Sequence, residues 1–401
     1  MTTISDESSK KVSLWYDPRV RSIVSQVILV ALIAWGMYAL VTNTIHNLET
    51  RKISSGFDFL NTNAGFTLIQ SLIDYDQSAT YGRAFMAGLV NTVYVASIGV
   101  VLATILGFIV GVARLSKNWV ISRVATVYVE VLRNIPLLLQ IVVWYKVLLL
   151  LAPDKFSRVW VLGIGEFNIK GFWTPKLITQ EGFWMTGVAI IVGILAAFFI
   201  SRWAKKRQEA TGEQFPSFLV GLGIIIILPL LVFFITGKPG VIQYPEFITE
   251  GPRLRQGFVA GTGFVFIPEF LALLFALVLY TATFIAEIVR AGILAVNHGQ
   301  TEAAGALGLR RGKILRLVVI PQAMRVIIPP LTSQYLNLTK NSSLAMAIGY
   351  PDLMGAGGIV LNQSGQAVEV IIMIMAVYLT FSLLTSLFMN WYNSKMSLVE
   401  R

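Results

Sequence analysis

The chain has little charge and no cysteine. Only 13% of its 401 residues are Asp, Glu, Lys or Arg, while 55% are hydrophobic. A soluble domain carries about 25% charged residues, so an ordinary soluble protein is excluded. Without cysteine there can be no disulfide framework, thiolate metal site or thiol catalysis. The two histidines, His46 and His298, lack metal-ligand spacing and read as loop residues. Met1–Arg21 is polar with no early apolar run, which does not read as a cleaved signal peptide. A nucleotide loop is missing too. Gly308-Leu-Arg-Arg-Gly312-Lys313-Ile314 has three rather than four intervening residues and no Ser or Thr to hold magnesium. No cofactor or metal is expected in this chain.

What the chain does have is long apolar runs. Stretches able to cross about 30 Å of hydrocarbon occur near 23–43, 89–112, 126–150, 185–202, 217–236, 266–289, 326–348 and 368–390. They predict an all-α polytopic membrane protein with about eight transmembrane helices. The seventh is the least regular, because Pro329, Pro330, Lys340 and Asn341 interrupt it. Trp184 and Trp203 flank the fourth span and Trp391 closes the eighth, as interfacial anchors do.

Eight spans put both termini on one side, and charge selects that side. Placing the termini in the cytoplasm gives nineteen Lys and Arg inside and ten outside, the latter spread over longer loops. The positive-inside rule therefore predicts cytoplasmic termini. It also explains the net charge of +11 without nucleic acid, since the cations are scattered over short loops. The outer connections, near 44–88, 151–184 and 237–265, are long enough to carry local structure or meet a partner. Gly107 and Gly111 in the second span read as close helix packing.

The most informative stretch lies in an inner loop. Glu302-Ala303-Ala304, then Gly308, then Val318-x-Ile320-Pro321 sit between two apolar spans. Residues 300–307 are mostly helix formers, with Glu302 in the first turn where the helix dipole favours an anion. Gly308 follows where a left-handed cap is often needed. Arg310, Arg311, Lys313 and Arg316 make the segment towards Pro321 strongly basic. Two short helices joined at a glycine would form a compact knob suited to a groove on another protein.

Charges in or near spans are the other candidates, because they are costly in lipid. Glu130 and Arg133 are three apart, as are Glu287 and Arg290, so each pair can meet on one helix face. Lys340 lies about fourteen residues into the seventh span, or roughly 20 Å at 1.5 Å per residue. That places it near mid-membrane, followed by Asn341, Ser342 and Ser343. Such a cluster is either an interhelical hydrogen-bond knot or part of a solute path. Asn91 and Lys146 are weaker candidates. An ion-coupled transporter using Glu130 or Glu287 as a proton relay is the main rival reading, but both carboxylates lie near span ends. A membrane-embedded enzyme lacks a nucleophile and base.

Five stretches together carry a family likeness. They are Gly88-Leu89-Val90-Asn91-Thr92, Arg133-Asn134-Ile135-Pro136-Leu137-Leu138-Leu139-Gln140, Ala286-Glu287-Ile288-Val289-Arg290-Ala291-Gly292-Ile293, the Glu302 loop through Ile320-Pro321-Gln322-Ala323-Met324-Arg325, and Leu338-Thr339-Lys340-Asn341-Ser342-Ser343-Leu344. The chain resembles the inner-membrane permeases of polar amino-acid ABC importers, the histidine/glutamine permease group. It is most similar to the Q-type subunit of general L-amino-acid transporters. The likeness spans about 80–390 except 151–262. Common members have about five spans, and the family often has Thr where this chain has Ser342.

The resemblance implies a type I permease core with one N-terminal and two inserted helices, and no ATPase site of its own. The implied organisation is a cytoplasmic N-terminus over 1–22 and an added first helix with periplasmic loop over 23–86. Core parts cover 87–150 and 263–391, an insertion 151–262, and a cytoplasmic C-terminus 392–401. The implied coupling loop, 297–325, would engage the ATPase through Glu302, Ala303, Ala304, Gly308, Arg310 and Arg311. Implied partners are a second, homologous permease, two cytoplasmic ATPases binding ATP and magnesium, a periplasmic amino-acid-binding protein, an L-amino-acid substrate and the bacterial inner membrane. Asn91, Glu130, Arg133, Glu287, Arg290, Lys340, Asn341 and Ser342 remain candidates for the path or its gates.

Overall fold

The computed structural model describes residues 18–50, 56–161 and 163–396. Lys10, Lys11, Arg51, Lys52 and Arg401 of the charge count lie outside them. Twelve α-helices run through the described residues. They are α1 (Pro18–Thr50), α2 (Tyr81–Arg114), α3 (Trp119–Asn134), α4 (Leu137–Leu151), α5 (Phe183–Thr211) and α6 (Ser217–Ile235), then α7 (Pro268–Leu294), α8 (His298–Ala306), α9 (Arg311–Ile314), α10 (Ile320–Asn341), α11 (Leu353–Ser364) and α12 (Ala367–Met396). Seven helices are long and apolar enough to cross a membrane, or eight if the bent pair α3–α4 is one span. The fold is that of an all-α polytopic membrane protein.

Two compact units divide the chain: residues 1–91 with 351–388, and 92–350 with 389–401. In the first, Ala84, Phe85, Leu353, Val360, Val370 and Ile374 form the core. The short helix α11 was not expected from sequence. It is only 12 residues long, and its N-cap Asp352 accepts a hydrogen bond from Gly355 N–H. Asn91, fully buried, donates through Nδ2 to Gln70 O (3.0 Å) and Pro351 O (2.9 Å). One amide thus ties together backbone from two distant loops.

The second unit is built around α7. Its Phe270, Leu273, Leu277, Ile285 and Val289 are almost wholly buried and join Ile141, Ile327 and Leu338 in one core. Gly107 and Gly111 allow α2 to lie directly on α7. A Cβ at Gly107 would come 2.5 Å from Ile285 Cγ2, and one at Gly111 would come 2.8 Å from Ala286 O and Val289 Cβ. The packing reading of this glycine pair holds.

The third predicted span, 126–150, is broken rather than straight. Helices α3 and α4 are bent by 106°. Pro136 forces Ile135 into an extended conformation (φ −90°, ψ 128°), because its ring disfavours helix at the preceding residue and it has no N–H to donate. Gln140 secures the corner, donating through Nε2 to Leu132 O (2.8 Å) and Ile135 O (2.9 Å). Those carbonyls are ones the end of α3 would otherwise leave without helical partners. Arg133–Gln140 is therefore a corner.

Around 151–266 the long connections carry small sheets. Strands β1 (Val159–Val161), β2 (Gly165–Asn168) and β3 (Gly171–Thr174) precede the ribbon strands β4 (Lys176–Thr179) and β5 (Gly240–Gln243), then β6 (Phe247–Ile248), β7 (Gly257–Phe258) and β8 (Phe264–Phe266). The order β1-β2-β3-β8 makes a four-stranded antiparallel sheet, and β4–β5 and β6–β7 are two-stranded. Glu166, 4% exposed, receives Arg158 at 2.7 Å, and Trp173 stacks on Phe258 at 4.4 Å. Between β4 and β5, helices α5 and α6 form a hairpin. Gly193 lies against the Ile225 backbone and Gly221 against Ala197.

Prolines do not break the seventh span. Pro329 and Pro330 lie inside α10, and a single helical path runs from Arg311 to Ile348. Just before Pro321 it widens into a π-helical turn, Leu315–Val319. A wider turn accommodates a ring that would crowd the preceding carbonyl and a residue without an N–H. The short helices α8 and α9 do flank Gly308 as expected, but the basic second one continues without a break into α10 and is the first part of this long span.

Candidate coupling knob and polar path

Asn297 starts α8, its Oδ1 accepting from Gly299 N–H at 2.8 Å. The helix ends nine residues later at Ala306 in a glycine cap. Gly308 has φ +77°. Its N–H donates to Gly305 O (2.9 Å), and Leu309 N–H donates to Ala304 O (3.3 Å). This paired bond pattern closes a helix through a left-handed residue. Leu309 then packs towards Ala304, Ile314 and Val319, a small core of the knob's own. A nine-residue helix is too short to hold itself in water, so this cap and cluster fix its direction.

The motif residues divide by exposure. Ala304 is 6% exposed and anchors the knob. Glu302 and Ala303 face outward with Gly308, Arg310 and Arg311. Glu302 meets His298 Nδ1 at 3.0 Å on the same helix face. Leu307, at 82% exposure, is an apolar side chain at the turn with nothing among the described residues covering it. Arg310 begins the following helix, its carbonyl accepting from Lys313 N–H (2.8 Å) and Ile314 N–H (3.1 Å). The knob is thus an acidic and apolar turn beside a basic one, joined without a break to α10.

The polar residues considered for a path are scattered. Glu287 in α7 bonds Arg290 at 2.6 Å and also pairs with Arg114 of α2. The helical spacing gave Arg290, but Arg114 is 173 positions away and no local pattern could find it. Glu130 and Arg133, also three apart, form no ion pair among the described residues. Arg133 instead lies over the Phe284 ring at 5.7 Å, and Glu130 is exposed. A cation–π contact with a neighbouring helix has replaced the same-face pair.

Lys340 lies in the last turn of α10 and is exposed. The mid-membrane position expected for it rested on a span starting at 326. The helical path starts fifteen residues earlier, at Arg311, which moves Lys340 towards its far end. There the helix tightens into a 3₁₀ stretch, Ser342–Ile348. Ser342 is buried, its Oγ donating to Thr339 O at 2.8 Å, and Ser343 Oγ donates to Lys340 O at 2.7 Å. Those hydroxyls serve the local backbone. Lys340 has no ion pair among the described residues, so its charge is available to something else.

The described residues contain no group of three or more His, Cys, Asp or Glu able to hold a metal.

Residues 189–398 match the signature of the family described as "Binding-protein-dependent transport system inner membrane component". The General L-amino acid transport system permease protein AapQ of Rhizobium johnstonii is 49% identical, over 97% of this chain and 95% of its own. The putative amino-acid ABC transporter permease protein YhdX of Escherichia coli is 45% identical over 98% and 99%. The Glutamate/glutamine/aspartate/asparagine transport system permease protein BztB of Rhodobacter capsulatus is 42% identical over 97% and 96%. The likeness extends through the bent corner, the inserted helices and the knob alike, and the chain belongs to the family of binding-protein-dependent transport system inner membrane components, as a membrane-embedded permease subunit.

Proposed function

We propose that this permease serves an ATP-driven importer of L-amino acids in a bacterial inner membrane and is powered through the knob around Glu302. The carrying observation is mechanical. A small, independently packed turn with an exposed tip at Leu307 leads directly into the 38-residue helical path Arg311–Ile348. Displacing the tip therefore moves a spanning helix. A separate ATPase pair, binding ATP and magnesium, grips the knob. A binding protein delivers the amino acid on the opposite face, and a homologous second permease completes the path. The differential affinity of the ATPases for two arrangements drives the exchange between them.

Lys340 and Asn341, with Ser342 beneath them, are our candidates for solute contact. Glu287, committed to Arg114 and Arg290, is a lock between α2 and α7. That engagement also disfavours a proton relay through Glu287, the rival reading. The AapQ and YhdX names support an amino-acid cargo, and the charge bias supports an inward-facing knob with cytoplasmic termini.

Leu307→Ser and Glu302→Ala alter only exposed side chains. In proteoliposomes with ATPase and binding protein, each should lower ATPase association about tenfold and uptake with it, the scale of truncating one interface anchor. The permease itself should elute unchanged. Uptake that survives both substitutions, or that follows a proton gradient and ignores ATP, would rule the coupling out.

A further inference from the structure

Beside the knob lies a cleft of about 890 Å³. It falls in the upper part of the roughly 300–1,000 Å³ range of small-molecule sites. Its walls are the last turns of α2, the start of α3, Ile293 of α7, and the π-helical turn with the beginning of α10. Apart from Ser116 and Arg311 every lining residue is apolar. The cleft sits where two spans end, at Arg114 and Leu294, and a third begins, at Arg311. A membrane passes there from hydrocarbon to headgroups.

The chain segments that border the cleft carry charge of one sign. The two segments that border it, 114–123 and 310–316, carry seven Lys and Arg and no acidic residue. Arg114 is taken by Glu287. Arg311, which lines the cleft, has no ion pair among the described residues. Trp119 at the head of α3 is 75% exposed, in the manner of a side chain anchored at a membrane interface.

We propose that this cleft binds an anionic phospholipid, with an acyl chain along the apolar walls and the phosphate on Arg311. Such a lipid matches both halves of the site. An apolar protein segment would leave the cations uncompensated, and a zwitterionic headgroup would neutralise them less. Because Leu315, Val319 and Ile320 form one wall, a bound chain braces the π-helical turn that joins knob to α10. The lipid site stands on the cleft and its charge. Only its consequence for transport rests on the coupling reading.

The test is native mass spectrometry of the full chain in detergent, titrated with dioleoyl phosphatidylglycerol, dioleoyl phosphatidylcholine or soluble glycerol 3-phosphate. The wild type should retain phosphatidylglycerol at least roughly fivefold better than phosphatidylcholine, the factor of one basic side chain at an anionic surface. Glycerol 3-phosphate should not compete. Arg311→Gln should remove about that factor and Arg311→Lys should keep it, while Val112→Trp, which fills the cleft, should weaken both lipids. Equal retention of the two lipids, an unchanged preference in Arg311→Gln, or displacement by glycerol 3-phosphate would each overturn the proposal. So would a Val112→Trp variant that holds lipid normally but no longer assembles with a second permease, since the cleft would then belong to protein. The readout is lipid retention, so a failed uptake assay bears on the coupling reading alone.

Discussion

Asp352 is a carboxylate that the fold both needs and penalises. Its Oδ1 caps α11 through Gly355 N–H at 2.8 Å, a role that Asp and Asn fill equally well. Its Oδ2 is buried with no hydrogen-bond partner among the described residues. Burial pushes the group up from 3.8 to about 7, and the backbone N–H groups of Gly355 and Met354 pull only part of the way back. The folded chain therefore holds this proton where the unfolded chain has released it. Below about pH 4 both states are protonated and the group is neutral in effect. Between about 4 and 7 stability falls as pH rises, and above 7 the whole penalty is present. Asp352→Asn keeps the cap and removes the charge. Thermal unfolding of the purified full chain should then lose the part of its decline between about pH 4 and 7 that Asp352 causes, and the variant should melt higher than wild type at pH 8. Parallel melting curves for the two proteins would contradict the assignment. Lys340 gives the opposite test, because nothing in the described chain depends on its charge. Lys340→Gln should raise the transport KM several-fold, the scale of one charged contact, with assembly unchanged. Reduced assembly at unchanged KM would make it a packing residue.

At the scale of elements, the sequence was most readable where a local rule decides. Gly308 announced a left-handed cap, and the cap is there. Gly107 and Gly111 announced close packing, and Ile285 and Val289 occupy the space two methyl groups would need. Readings failed where one local signal had to be weighed against another. Pro329 and Pro330 read as interruptions in the sequence, yet the helix carries both. Pro136, inside an apolar run that reads as one straight span, turns the chain by 106°. The difference lies in what surrounds each proline. Residues 320–341 continue in helix on both sides of theirs. At Pro136 the amide of Gln140 is placed to satisfy the carbonyls that a corner exposes, which makes the corner stable. Arg114 meeting Glu287 was illegible for another reason: tertiary packing alone brings them together. Helix α11 escaped notice because twelve residues between two spans give too short a period to stand out.

For the whole molecule, the open question is whether the bent pair α3–α4 crosses the membrane, since it decides between seven spans and eight. Packing within the larger unit answers it. Arg114, the last residue of α2, pairs with Glu287 near the end of α7, and Gly111 lies on Val289. Both helices therefore finish at the same end of the unit. A chain that leaves that end after α2 must arrive at the other end to begin α7, which takes an odd number of crossings. Helices α5 and α6 supply two, so the bent pair must supply the third. The positive-inside rule agrees independently, because it asks the cation-rich segments 114–123 and 310–316 to share a side. A chain without cysteine makes the check direct. Single cysteines at Lys117, Lys170 and Leu307, all exposed positions, would be probed in spheroplasts with a membrane-impermeant maleimide. The variant K170C should label at once, whereas K117C and L307C should label only after the membrane is opened. If the bent pair were re-entrant, positions 117 and 170 would share a side and 307 would lie opposite both. That pattern would return the count to seven and would separate the termini.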